Sequence, residues 1–89
     1  MAYFEATQEE KQLAAIGREM MDFSEQYGVK HGLKRVTDNG LNTLNKLSHV
    51  GSMLTRYGAT FGTTRKDFAQ EDLELIARFM KKEVDIETK

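Results

Sequence analysis

Thr7-Gln8-Glu9-Glu10-Lys11-Gln12-Leu13-Ala14-Ala15-Ile16-Gly17-Arg18-Glu19-Met20-Met21-Asp22-Phe23-Ser24-Glu25-Gln26-Tyr27-Gly28 carries the pattern from which the architecture follows. Leu13, Ile16, Met20, Phe23 and Tyr27 alternate spacings of three and four, the seam of a helix packed nearly parallel or antiparallel to a neighbour. Beside it runs a row of smaller residues, Ala14, Gly17, Met21 and Ser24. A glycine inside a helix costs about 1 kcal/mol against alanine, so Gly17 implies close approach by another backbone. Thr7-Gln8-Glu9-Glu10 reads as a capping box, with the Thr7 hydroxyl accepting from the Glu10 amide and the Glu10 carboxylate reaching back. The spacing predicts helix one over about 8–27, with Gly28 supplying the left-handed residue that ends it.

The same pattern recurs further along the chain. Leu44, Leu47, Gly51, Leu54, Gly58 and Phe61 keep the three-four spacing, Leu41 extends it one turn earlier, and Val50, Met53 and Tyr57 lie beside it. A second helix is expected from Thr37 or Asp38, both good N-caps, to about Tyr57. Gly40, Ser48, Gly51 and Ser52 keep part of its surface thin, and Gly58 and Gly62 break the run. At 1.5 Å per residue each helix is about 30 Å long, so the two match as an antiparallel αα-hairpin. Between them Lys30, His31, Lys34 and Arg35 surround Gly32, read as a solvated basic loop or, more sharply, an anion-collecting rim. A third helix is expected from Thr64, or from Asp67 with Gln70 as a capping box, carrying Leu73, Ile76 and Met80 with Leu75 and Phe79 alongside. Lys81 and Lys82 suit its C-terminal dipole, and 83–89 is expected to fray.

The totals agree with this. The chain of 89 residues has no proline and no cysteine, and 30% of it is charged. That makes one all-α domain over 1–89, without disulfides or thiolate metal sites. Thirteen Lys+Arg against fourteen Asp+Glu give a net charge of −1, which speaks against a dedicated DNA binder. No apolar run is long enough for a membrane span, and no signal peptide or lipidation motif is visible. Each helix carries more than one apolar stripe, so a small chain of this kind is expected to form a homo-oligomer.

Catalysis finds little support. His31 and His49 are the two histidines, and no metal, phosphate-loop or nucleophile motif accompanies them. His49 reads as a structural residue beside the apolar seam, and Glu9 and Glu10 are explained by capping and the helix dipole. The chain reads as a non-enzyme with no metal and no cofactor. Binding has more to offer, because Tyr3 and Phe4 stand just ahead of a capped helix and Arg18 lies on that helix. A ring with a guanidinium holds bases and phosphates, whereas the plainer reading pairs Arg18 with Asp22 on the surface. At the helical rise Tyr3 and Arg18 are about 20 Å apart in one chain, so they could meet on one ligand only across a subunit boundary.

The pattern Tyr3-x-x-x-Thr7-Gln8-Glu9-Glu10-x-x-Leu13, followed by Arg18, resembles the opening of phage anti-CBASS sponges, with Gly51-Ser52-Met53 as weaker support. The resemblance implies a bacteriophage immune-evasion protein in the cytoplasm of the infected bacterial host. Such proteins are compact homohexamers that sequester cyclic dinucleotides such as 3',3'-cyclic GMP-AMP, and cyclic trinucleotides, without cleaving them. Carried over, Tyr3 would stack on a base and Arg18, where the family pattern has lysine, would meet the phosphates. Phe4, Lys11, Thr63, Thr64 and Arg65 are weaker ligand-binding candidates. The alternative is a helical adaptor or inhibitor that docks a host protein through exposed apolar faces. A helix-turn-helix DNA regulator ranks third, because helix two and its exit are rich in Leu and Gly where a basic reading helix is needed.

Overall fold

The computed structural model describes residues 8–59 and 68–89. The chain is all-helical there: α1 spans Gln8–His31, a 3-10 turn spans Leu33–Arg35, α2 spans Asp38–Ala59 and α3 spans Gln70–Met80. Helices α1 and α2 form a hairpin. Gly17 meets Gly51 while Ser24 donates from Oγ to the Leu44 carbonyl at 2.8 Å, so the two helices run antiparallel.

The expected seam of α2 builds the core, whereas of the α1 stripe only Met20 is buried: Leu13, Ile16, Phe23 and Tyr27 are half-buried, and the smaller row with Ala14 and Gly17 faces α2. Met20, Leu47 and Val50 are fully buried, with Leu44, Leu54, Phe68 and Ile76 beside them. Gly17 and Gly51 let the two backbones touch. A Cβ on Gly17 would lie 2.5 Å from the Gly51 carbonyl oxygen, and one on Gly51 would lie 2.6 Å from the Gly17 carbonyl oxygen. The helix-propensity loss at each glycine is therefore offset by packing that only a missing side chain permits.

Several boundaries differ from the sequence reading. Helix α1 does not stop at Gly28 but runs on to His31, and the residue with positive φ is Gly32, at 78°. Glycine permits a left-handed turn without imposing one. Gly28 instead makes room for Leu33, whose Cγ and Cδ2 would lie 3.0 Å from a Cβ there. The basic segment is thus no loop: Lys30 and His31 complete α1, and Lys34 and Arg35 sit in the 3-10 turn. Thr37 caps α2 as expected, its Oγ1 accepting from the Gly40 amide at 3.0 Å. Helix α2 continues through Gly58 to Ala59.

Helix α3 begins at Gln70, later than expected, because Ala69 is extended and makes no side-chain cap. Leu41 and Met80, placed on apolar stripes by spacing, are 43% and 58% exposed, while Phe79 packs on the core. The capping box at Thr7 and the positions Phe61, Gly62, Thr64 and Asp67 lie outside the described residues, as do the side chains of Glu10 and Tyr57.

The C-terminal segment does not fray. Helix α3 ends in a Schellman arrangement, with Lys82 donating to Phe79 at 3.1 Å and Glu83 to Arg78 at 2.9 Å. Lys82 occupies the left-handed position at φ 59°, where glycine is usual. The chain then returns along the hairpin's closed end. Val36 and Thr88 form an antiparallel bridge, the Thr37 amide donates to Glu87 at 3.1 Å, and the Lys89 amide donates to Arg35 at 2.7 Å. Val84 and Ile86 turn onto the core while Asp85 and Glu87 stay exposed, the alternation of a strand.

Candidate functional site

Of the residues singled out in sequence, Tyr3, Phe4, Thr63, Thr64 and Arg65 lie outside the described residues. Arg18 and Lys11 are both exposed on α1. Arg18 makes no ion pair with Asp22, and the one inter-helix ion pair is Lys46 with Glu71 at 3.4 Å among the described residues. His49 is exposed, not tucked beside the seam, because its position on α2 is one residue before the buried Val50. No described group of His, Cys, Asp or Glu is arranged to hold a metal ion.

Two of the concave regions built from described residues bear most on binding. The first lies between α1, α3 and the turn after it, where Ile16, Phe23, Phe79, Met80 and Val84 form an apolar groove of about 590 Å³ with Glu19 and Lys82 at its margin. The Phe23 and Phe79 rings meet edge to face at 5.8 Å, which fixes the floor of this groove. Its size falls within the roughly 300–1,000 Å³ of small-molecule sites.

The second region is at the closed end of the hairpin. Tyr27, Lys30, His31, Arg35, Thr88 and Lys89 enclose about 590 Å³. The extra turn of α1 creates it, because residues at i, i+3 and i+4 share one helix face. Tyr27 and His31 face each other with ring centroids 4.5 Å apart. Arg35 comes from the 3-10 turn, and Lys89 is delivered by the backbone bond from its amide to the Arg35 carbonyl. A neighbouring groove on α1 shares Tyr27, Lys30 and His31 with this one and is lined further up by Phe23, Phe79, Asp22 and Glu19.

Sequence reasoning saw the cations of this region as a rim but missed Tyr27, Thr88 and Lys89. The usable signal was the alternation Val84-Asp85-Ile86-Glu87-Thr88, which marks a strand and hence a tail with a docking place.

Compared with family models, curated proteins and solved structures, the chain shows no match. No described helix is long and apolar enough to cross a membrane.

Proposed function

We propose that this protein is a non-catalytic helical binder that sequesters anionic cyclic oligonucleotides, cyclic dinucleotides first, and so blunts CBASS antiviral signalling in a phage-infected cell. The reading rests on the resemblance carried by Tyr3, Thr7-Gln8-Glu9-Glu10 and Arg18. The observation that supports it is Arg18 itself, an exposed guanidinium on α1 without an ion-pair partner among the described residues. An uncommitted arginine fork suits a phosphodiester, and a second copy of the chain would bring Tyr3 to it. The apolar groove beside α3 is surface that self-association would cover.

Thermal unfolding with 3',3'-cyclic GMP-AMP is the direct test. Ligand at a hundredfold over its dissociation constant adds about 2.7 kcal/mol per site. The ligand is expected back intact, and Tyr3→Ala and Arg18→Ala are each expected to lose the shift while keeping helicity. No shift with any cyclic di- or trinucleotide sinks the proposal.

A second reading has its own observation. The groove of Ile16, Phe23, Phe79, Met80 and Val84 is open in the single chain, which suits a module that docks an amphipathic helix of a host protein. A stoichiometric complex lost in Phe79→Asp, with no nucleotide binding, would favour it.

A further inference from the structure

The geometry points to a second ligand site, contained within one chain, that takes a phosphate monoester of a guanine nucleoside across two adjoining grooves on α1, which share Tyr27, Lys30 and His31. It makes no use of Tyr3, Arg18 or oligomerisation, and so does not depend on the function proposed above.

Three observations carry it. The first is the gathering of cations: Lys30, Arg35 and Lys89, with His31, come from three different chain segments to line one groove. Like charges repel, so a fold that concentrates them offers a place for an anion of more than one charge. A terminal phosphate carries about two negative charges at neutral pH. The Glu87 carboxylate does not line this groove; it accepts from Asn39 Nδ2 on α2 at 3.3 Å.

The second is the ring surface that follows. Tyr27 stacks near His31, tilts against Phe23 at 5.9 Å, and shares the groove with Phe79. Aromatic side chains so grouped accept a planar base without regard to its identity. The third is the acidic far end, where Glu19 and Asp22 line the same groove beyond the rings. Asp22 and Lys30 are eight residues apart on one helix, about 12 Å at its rise per residue. Carboxylates only accept hydrogen bonds, so they select a base edge made of donors. Guanine presents adjacent N1–H and exocyclic amino donors, whereas adenine places an acceptor beside its amino group. The order cation, ring, carboxylate therefore matches phosphate, base face and guanine edge.

Calorimetric titration of the full chain with guanosine 5′-monophosphate tests this, with guanosine, adenosine 5′-monophosphate and inorganic phosphate as comparisons. Guanosine 5′-monophosphate is expected to bind with one site per chain, and each comparison at least tenfold more weakly. The double variant Lys30→Ala/Arg35→Ala alters exposed side chains and is expected to keep its circular dichroism and melting temperature while losing at least tenfold in affinity. Asp22→Asn is expected to narrow the preference for guanine over adenine. Arg18→Ala is expected to leave this binding unchanged, which separates the site from the one proposed for cyclic oligonucleotides. The inference is overturned if the monophosphate does not bind at millimolar concentration. It is likewise overturned if binding survives in a folded double variant, or if the adenine nucleotide binds equally well.

Discussion

The two sides of α1 are finished differently. Toward α2 it presents Ala14, Gly17 and Met20, all buried, and the backbones meet at a glycine pair. Toward α3 it presents Ile16, Phe23 and Tyr27, each half-buried, and the space between is open groove. The first side is closed by removing side chains and the second is propped open by large ones. Close packing leaves no room for a ligand, so stability belongs to the first side and recognition to the second.

This contrast can be broken by measurement. The largest effect is expected at the sealed side: Leu47→Ala removes a fully buried side chain and should cost about 2–5 kcal/mol by urea unfolding. Gly17→Ala comes next. Alanine gains about 1 kcal/mol in helix propensity, but its Cβ has no room beside Gly51 and Leu54, so overpacking of roughly 1–3 kcal/mol should make the net change destabilising. A stabilised Gly17→Ala would show that the helices separate easily, and the contrast between the two sides would fail.

Smaller effects sharpen the open side. A Cβ on Gly40 would collide with the Glu87 carbonyl and lie 2.7 Å from Val36 Cγ1. Gly40→Ala should therefore displace the C-terminal segment, seen as faster hydrogen exchange at the Thr37 and Lys89 amides with the hairpin retained. Lys82→Gly relieves a left-handed lysine at φ 59° and should stabilise by about 1 kcal/mol. Least of all, Lys46→Ala breaks an ion pair whose side chains are 56% and 70% exposed, and should change stability by less than about 0.5 kcal/mol.

Much of the architecture was legible in the residues. The three-four spacing from Leu13 to Tyr27 and from Leu44 to Leu54 gives two helices, and Gly17 announces the close approach made at Gly51, but apart from Met20 the face α1 turns to α2 is the row of smaller residues beside that stripe. Thr37 was readable as a cap because its hydroxyl and the Gly40 amide are local partners. The end of α1 was not, since Gly28 and Gly32 are equally able to turn, and the choice falls to Leu33 packing over the first. Met80 and Phe79 are equally apolar neighbours, and which one faces the core depends on how α3 is rotated against α2.

The candidate sites divide in the same way. That Arg18 is exposed follows from its place facing away from the Leu13 and Ile16 stripe, whereas the gathering of Lys30, Arg35 and Lys89 does not follow from spacing. Composition and period determined an all-helical hairpin by themselves, because helix formation and amphipathic burial depend on residues three and four apart. The closed-end groove depends on Glu87 and Lys89 finding Thr37 and Arg35 half a chain away. Alternation along Val84 to Thr88 marks a tail that docks, but backbone bonds between distant segments do not name their partner, so where those charges meet was settled by the folded chain.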